Sequence, residues 1–227
     1  GKPYIAGSVP SFGASGLAGV WAEANTREDI YDAFRRRETF ATSGPRISLR
    51  FFASAEFDSG LLNDRDAVAT AYRLGTSMGG KLKLENDARP SFFIWAQSDP
   101  ESYPLQRMQV VKGWVNDAGE VKEAIYDVAC AGGVPVDAVT HRCPDNNASV
   151  DVRSCEATAN TGDTQLKAVW QDPDYVLGQP AFYYARVLEN PSCRWSTWDA
   201  VRAGVEPRPD FPSTIQERAW SSAIQVR

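Results

Sequence analysis

Short stretches with an apolar residue at every second position recur along most of this chain, and they constrain its fold more than any other feature. Ile47, Leu49 and Phe51 alternate with polar residues, which is the pattern of a strand buried on one face. Five further segments, each bounded by Gly, Pro, Asn or Asp, have strand composition: Ser91–Gln97, Gln106–Lys112, Val121–Val128, Leu166–Trp170 and Ala181–Glu189. This spacing predicts a mainly β protein with an antiparallel β-sandwich.

The beginning of the chain follows a different pattern. The apolar run Leu17–Ala22 predicts a short strand, and Thr26 stands where a helix N-cap is expected. Apolar residues then recur at helical spacing, and arginines close the segment, where cations suit the helix dipole. We therefore predict a helix from about Arg27 to Arg37 within a terminal strand-helix unit, residues 1–45. Residues 46–227 form the β-rich domain.

Two segments with turn residues have different predicted roles. Asn116-Asp117-Ala118-Gly119 separates two strand segments and predicts a hairpin connection, because Asn, Asp and Gly tolerate a positive φ. The glycine-rich segment Gly75–Gly80 could cradle a phosphate only if it opened a helix. A strand-like segment, Lys81–Leu84, follows instead, so we predict a turn of a sheet.

The chain has four cysteines, Cys130, Cys143, Cys155 and Cys193, and none of them forms a CxxC pair. Zinc sites usually present their sulfur ligands in close pairs, so we favour disulfides. A polar loop around residues 140–165 would be ordered poorly without a crosslink, which favours Cys143 with Cys155 and leaves Cys130 with Cys193. Four cysteines still allow three pairings. Disulfides predict a periplasmic or extracellular location.

Charge and hydropathy exclude two classes of partner from our expectations. The net charge is -5 with a pI near 5.0, and the basic residues are scattered. No nucleic acid partner is expected, because nucleic acid binding needs a clustered basic surface. No run approaches the roughly 18 to 20 apolar residues that cross a bilayer, so no membrane partner is expected either.

Few residues of the chain suggest chemistry of their own. The chain has one histidine, His141, which lies in the polar cysteine loop, so a histidine-rich metal site cannot be built from this chain alone. A catalytic triad would have to use His141. The letters GxSxG stand at Gly75–Gly79, but a strand-like segment follows them, whereas a nucleophile elbow opens a helix. We therefore expect His141 to be a solvated loop histidine. The carboxylates of Asp172 and Asp174 could bind a cation or transfer protons, but turn formation explains them better.

Two segments contain candidates for lining a substrate site. Arg194–Trp198 combines a guanidinium, two indoles and two hydroxyls, and it could form one wall of an anion or carbohydrate pocket or anchor the core. Arg37–Gly44 follows the predicted helix and could face a cleft, although capping and turn formation explain it almost as well. The candidates are Arg37, Thr42, Ser43 and Arg194.

Several strings of residues resemble a known family when they are taken in order. Gly19–Glu23, Asn25–Glu28 and Arg37–Ile47 resemble a bacterial family catalogued as domain of unknown function three thousand six hundred and four. That family is similar to the polymerase-and-histidinol-phosphatase (PHP) class of metallohydrolases. The resemblance covers nearly the whole chain and continues through Met78–Gly80, Gln106–Trp114, Tyr126–Ala129, Val169–Asp174, Gln179–Glu189, Arg194–Thr197 and Ile215–Ser222.

The resemblance implies an enzyme with two parts. An N-terminal α/β barrel-like domain carries the His and Asp metal ligands, and a β-rich portion follows it. This chain matches the second part, and residues 1–45 would supply the last strand and helix that complete the barrel. No metal ligand of the family can be transferred to a residue of this chain.

The resemblance therefore implies the C-terminal portion of a metal-dependent hydrolase that acts on an ester or phosphoester. We expect this chain not to be catalytic by itself. The divalent metal would be held by an N-terminal metal-binding fragment of the same precursor, cut just upstream of Gly1, and the substrate would be a small molecule. Two alternatives are a non-catalytic module that binds a carbohydrate or peptide and a purely structural domain that stabilises the barrel.

Overall fold

The computed structural model describes residues 13, 15–85 and 87–227 of the chain, so Gly1 lies outside the described residues. Within them the α-helices are α1 (Arg27–Arg36), α2 (Ala67–Leu74) and α3 (Trp195–Ala203). Single 3-10 turns span Ser59–Leu62 and Ala131–Gly133. The strands are β1 (Leu17–Val20), β2 (Thr39–Thr42), β3 (Ser48–Ser54), β4 (Thr76–Ser77), β5 (Lys81–Leu82), β6 (Ser91–Gln97), β7 (Leu105–Val115), β8 (Val121–Cys130), β9 (Val150–Asp151), β10 (Glu156–Ala157), β11 (Gln165–Gln171), β12 (Ala181–Glu189), β13 (Ser192–Cys193), β14 (Thr214–Ile215), β15 (Arg218–Ser221) and β16 (Ile224–Val226).

Two sheets form the body of the protein, and the predicted mainly β sandwich is confirmed. In the larger sheet β12 is central, with β7 and then β8 on one side. Its other edge pairs with both β15 and β16; β2 and β1 continue from β15, and β5 runs parallel to β16. The smaller sheet has the order β11-β6-β3-β4 and is antiparallel throughout.

The core lies between these two sheets, because alternate residues of their strands turn towards each other. The rings of Phe92 and Tyr183, one from each sheet, are 4.6 Å apart between centroids. Burying a large apolar side chain contributes about 1.5–3 kcal/mol, so this layer is the main source of stability. Other residues of the layer are Leu49, Phe51, Ile94, Met108, Val110, Ala185 and Val187.

The predicted strands and the hairpin are confirmed. Ser91–Gln97 and Ala181–Glu189 coincide with β6 and β12, and β7, β8 and β11 are a few residues longer than predicted. The predicted strand Leu17–Ala22 is shorter in the structure, where β1 ends at Val20. At the tip of the β7–β8 hairpin, the Gly119 amide donates to the Asn116 carbonyl at 2.9 Å, and Gly119 has a φ of 77°. The alternation of apolar and polar residues in the sequence therefore locates the main strands of this chain.

The predicted helix at the start of the chain is also confirmed. The Thr26 hydroxyl accepts the Asp29 amide at 3.2 Å and caps α1. Arg37 ends the helix in the left-handed conformation, with φ 59° and ψ 27°. β2 follows at once and pairs with β15, so the strands of the terminal unit share a sheet with the β-rich domain. That this unit completes a barrel stays a prediction.

The two disulfides join Cys130 to Cys143 and Cys155 to Cys193, so the favoured pairing of Cys143 with Cys155 is wrong. The chain after β8 returns alongside that strand. The Asp127 amide donates to the His141 carbonyl at 3.0 Å, which places Cys143 beside the end of β8. The pairing follows from this strand-like return, whereas the prediction considered only the length of a polar loop.

Asp172 and Asp174 form a turn, as the sequence favours; Asp172 is buried, whereas the exposed Asp174 accepts the Tyr126 hydroxyl at 2.7 Å. The Asp174 amide donates to Asp172 Oδ1 at 2.9 Å. Asp172 Oδ2 lies 2.6 Å from Lys112 Nζ, with side chains that are 0% and 2% exposed. It also accepts the hydroxyl of Tyr183 at 2.7 Å. Burial and the Asp172 charge raise the pKa of Tyr183, so its phenol stays a hydrogen-bond donor.

We expect Lys112→Met to lower the free energy of unfolding by about 3–5 kcal/mol, because it leaves Asp172 as an uncompensated buried charge. The double change Lys112→Met with Asp172→Leu should cost much less. Urea unfolding measures both. Lys122→Met is the matched control, since the Lys122–Glu120 pair at 2.7 Å is exposed and solvent screens its contribution to stability. Equal losses for Lys112→Met and Lys122→Met would contradict this account.

Glu189, at the end of β12, is fully buried. One carboxylate oxygen accepts the Ser102 hydroxyl at 2.7 Å, and the other has no hydrogen-bond partner among the described residues. Burial raises the pKa of Glu189 to about 7, and the charges of Glu217 and Asp99 add to this effect. The folded protein therefore retains a proton that the unfolded chain releases near pH 4.5.

This proton makes stability depend on pH in a defined direction. Between about pH 4.5 and 7 the unfolded chain has lost the Glu189 proton and the folded protein has not, so stability falls as pH rises and levels off above that window. The change should be on the order of 2–3 kcal/mol. Urea unfolding across this range should show a smaller fall for Glu189→Gln and an unchanged fall for the exposed control Glu123→Gln. Parallel curves for wild type and Glu189→Gln would refute the assignment.

Candidate functional site

A cleft of about 860 Å³ opens beside the end of α1, where α2 and the turn between β4 and β5 face it. This volume lies within the range of small-molecule pockets. The segment after β1 and the middle of β3 complete its walls. The lining residues are Trp21, Ala22, Glu23, Arg36, Arg37, Glu38, Arg50, Tyr72 and the turn Gly75–Lys81.

The ionisable side chains of the cleft favour an anionic ligand. Its cations come from four positions, and its acids, Glu23 and Glu38, from two. Glu38 is buried and its carboxylate is already engaged by protein groups, which leaves an excess of positive charge towards the opening. Guanidinium and ammonium groups bind carboxylates and phosphates through charge-assisted hydrogen bonds. The cations are Arg36, Arg37, Arg50 and Lys81.

Glu38 connects three walls of the cleft. One oxygen of its carboxylate accepts the hydroxyls of Tyr72 and Ser77, the latter at 2.8 Å. The other oxygen lies 3.5 Å from a terminal nitrogen of Arg36. These contacts join α1, α2 and β4, so this buried carboxylate fixes the shape of the cleft.

Tyr72 donates to Glu38 and accepts a hydrogen bond at 3.3 Å from Arg50 Nη1. Burial raises the pKa of Tyr72, and the hydrogen bond to Glu38 and the Glu38 charge act in the same direction. Tyr72 is therefore a neutral phenol in the physiological range. It orients the guanidinium of Arg50 at the edge of the cleft.

Arg50 stacks on Trp21, with the guanidinium carbon 3.6 Å from the centroid of the indole ring. The Trp21 indole nitrogen donates to the carbonyl of Leu49 at 2.9 Å, which fixes the ring against β3. Stacking restricts the long Arg50 side chain before any ligand binds, so less side-chain entropy is lost on binding.

The turn from β4 to β5 packs tightly against the end of α1. Gly79 has a φ of 84°, and a Cβ placed there would lie 2.3 Å from the carbonyl oxygen of Arg37. The Gly79 amide donates to the carbonyl of Ala223 at 3.2 Å. The predicted sheet turn in this glycine-rich segment is confirmed, and it forms one wall of the cleft.

We expect Gly79→Ala to destabilise the protein more than Gly119→Ala does. Both glycines have a left-handed φ, but nothing lies within 4 Å of a Cβ at Gly119. Gly119→Ala, the control, should lower the free energy of unfolding by about 1–2 kcal/mol because of the backbone conformation alone. Gly79→Ala should cost about 1–3 kcal/mol more because the chain must shift. Urea unfolding measures the difference, and equal costs would show that the contact with Arg37 is not restrictive.

Of the residues predicted to line a site, only Arg37 borders this cleft. Thr42 is buried, and its hydroxyl accepts the Gly44 amide at 3.3 Å. Ser43 donates its hydroxyl to Glu217 and receives the amide of Arg218 at 2.9 Å. Both hydroxyls therefore have structural partners at the end of β2.

Arg194 lies at the start of α3, and it is not among the residues that line the cleft. It donates to the Ser196 hydroxyl at 2.8 Å and lies 5.5 Å from the ring centroids of both Trp195 and Phe211. Trp195 and Trp198 are half-buried.

Sequence reasoning missed Glu38, Arg50, Tyr72 and Trp21 as members of one site. The alternation of β3 places Arg50 on the polar side of the strand, but does not tell which elements face it. Tyr72 lies on a helix that the sequence analysis did not predict. The one available signal was an isolated acid, Glu38, at the junction of a helix and an apolar strand.

The family resemblance implies a divalent metal, which needs a group of ligand side chains to hold it. Within that part of the chain, no group of three or more His, Cys, Asp or Glu side chains is arranged to hold a metal ion. His141 packs against Tyr126, with ring centroids 5.3 Å apart, and the Asp172 carboxylate is paired with Lys112. The residues present here therefore do not fit a metal centre.

Two features bear on where the protein works. The two disulfides are typical of proteins that fold outside the cytoplasm, and they indicate a secreted or extracellular location. Among the described residues, the helices are all too short or too polar to span a bilayer.

The protein is a mainly β sandwich with a cleft lined by four cations beside the end of α1. Residues 4–227 match the model of a family described as Protein of unknown function (DUF3604), and the chain belongs to this family. No curated protein and no solved structure matches the chain. The family description names no activity, and the cleft is the feature of the structure that indicates a chemistry.

Proposed function

We propose that this chain is the C-terminal portion of a metal-dependent hydrolase for an ester or phosphoester, and that its cleft binds the anionic part of the substrate. The metal ligands come from an upstream segment of the same precursor or from a separate chain. The intact protein works in the periplasm or outside the cell. The observation that carries the proposal is the group of cations around the buried carboxylate of Glu38.

The position of the cleft supports the proposal that this chain binds the substrate while another segment holds the metal. Its residues lie between the terminal strand-helix unit and the sandwich, where the resemblance to PHP metallohydrolases joins the barrel to the β-rich portion. Arg36 and Arg37 close α1, and Arg50 comes from the first long strand of the sandwich. A second segment that meets the strand-helix unit would therefore lie close to these cations.

The residues of this chain bind and orient the substrate. Arg50 presents its guanidinium in a fixed direction, because Trp21 stacks on it and Tyr72 receives one of its hydrogen bonds. Positive charge at this position stabilises the developing negative charge of an ester or phosphoester in its transition state. Neutral Tyr72 and Ser77 donate to the same oxygen of Glu38 and hold this carboxylate in place.

Replacing Arg50 tests the proposal. The protein should be produced in its native host with whatever segment or chain accompanies it, and assayed with divalent metal on phosphomonoester and carboxylic ester substrates. We expect Arg50→Gln to lower kcat/KM about tenfold or more, because a charge-assisted hydrogen bond contributes about 1.5–3 kcal/mol.

Lys167→Gln is the matched control for this experiment. Lys167 is a cation that stacks on an indole, 3.8 Å from the ring centroid of Trp95, but it does not line the cleft. Its replacement should leave kcat/KM unchanged. Equal losses for the two variants, or no hydrolysis by the complete protein, would refute the proposed function.

A second candidate function is anion binding without hydrolysis. It is favoured because Glu38, the carboxylate that the Ser77 hydroxyl contacts, also binds Tyr72 and Arg36 and is therefore not a free base. In that case the complete protein would bind an anionic ligand, Arg50→Gln would weaken binding, and no substrate would be turned over.

A further inference from the structure

A second polar pocket, of about 370 Å³, lies on the face of the larger sheet that points away from the core. β7 buries Met108 and Val110 in the sandwich, so the residues between and beside them project from the opposite face. The pocket is lined by Arg107, Gln109, Ile125, Asp127, Arg142, Cys143 and Arg186.

A row of hydrogen-bonded side chains forms the floor of this pocket across three neighbouring strands. Arg186 of β12 faces Gln109 of β7, which faces Asp127 of β8. Arg186 Nε donates to Gln109 Oε1 at 2.7 Å, and Gln109 Nε2 donates to Asp127 Oδ1 at 2.6 Å. The floor is buried, since Gln109 and Asp127 are each 4% exposed. The strand register therefore fixes the direction of Arg186.

The return segment after β8 builds the wall. The Cys143 amide donates to Asp127 Oδ2 at 2.7 Å, and Arg142 Nη1 donates to the Ile125 carbonyl at 2.7 Å. The Cys130–Cys143 disulfide attaches this wall to the end of β8. Both oxygens of Asp127 are thereby engaged by the protein, and among the described residues no other carboxylate lines the pocket.

The charge of the pocket is not balanced. Its three arginines face a single carboxylate, and only Arg142 approaches that carboxylate, at 3.7 Å. Among the described residues, neither Arg107 nor Arg186 has a carboxylate within ion-pair distance. Arg186 uses its Nε for the bond to Gln109, and among the described residues its terminal nitrogens have no hydrogen-bond acceptor. Two positive charges in excess suit a doubly charged oxyanion.

We propose that this pocket binds a phosphate or sulfate group, and that it is a second site separate from the cleft around Glu38. A tetrahedral oxyanion offers several oxygens to guanidinium groups that come from three chain segments. The volume exceeds what a single ion needs and reaches the lower end of small-molecule pockets. The group can therefore be a free ion or part of a small ester.

Calorimetric titration of the whole chain tests this site with inorganic phosphate, inorganic sulfate and glucose 6-phosphate, at constant ionic strength in chloride. The titrations use an Arg50→Gln background, which weakens the cleft and leaves the second pocket intact. The proposal predicts that binding persists in this background. It also predicts that Arg186→Gln weakens binding about tenfold or more.

The control is Lys122→Gln, which removes a cation from an exposed position on the same sheet and should leave the affinity unchanged. If Arg186→Gln fails to fold, Arg107→Gln provides the same test from outside the hydrogen-bonded row. Tighter binding of glucose 6-phosphate than of inorganic phosphate supports an ester as ligand, and the reverse supports a free ion. No binding of any probe, or binding that neither arginine variant weakens, overturns the proposal without affecting the proposed hydrolase function.

Discussion

The packing of Phe92 against Tyr183 joins the two sheets, and the rest of the structure depends on this contact. Tyr183 also donates its hydroxyl to Asp172, whose carboxylate forms a buried ion pair with Lys112. Such a pair needs full hydrogen bonding to be tolerated in a core, and the surrounding aromatic layer holds its members in place. The two sheets therefore keep their relative position while polar residues occupy their outer surfaces.

A buried acid also organises the cleft, as Asp172 does in the core. Glu38 accepts hydrogen bonds from two elements and pairs with Arg36 of a third, so it fixes the geometry of the cleft and engages only one of its four cations. Membership of a family of unknown function gives no substrate. The proposed ligands, small anionic molecules, are inferred from the cations of the cleft, and the proposed reaction comes from the resemblance to metallohydrolases.

Much of the fold could be predicted from sequence because alternation and capping are local signals. Ile47, Leu49 and Phe51 predicted the first long strand, and Thr26 predicted the start of α1. The disulfide pairing and the cleft depend on which distant segments meet. Cys143 pairs with Cys130 because the chain returns beside β8, and Arg50 reaches Glu38 through Tyr72 of an unpredicted helix. No local pattern encodes these contacts.

The central claim is that this chain supplies the anion-binding wall of a hydrolase whose metal ligands lie outside it. Intact mass and bound metal, measured on the protein isolated from its source under native and denaturing conditions, test this claim most directly. The account predicts a further polypeptide segment or chain with stoichiometric divalent metal. A single metal-free species of 24.9 kDa would contradict it and leave a binding module or a structural domain as the better account.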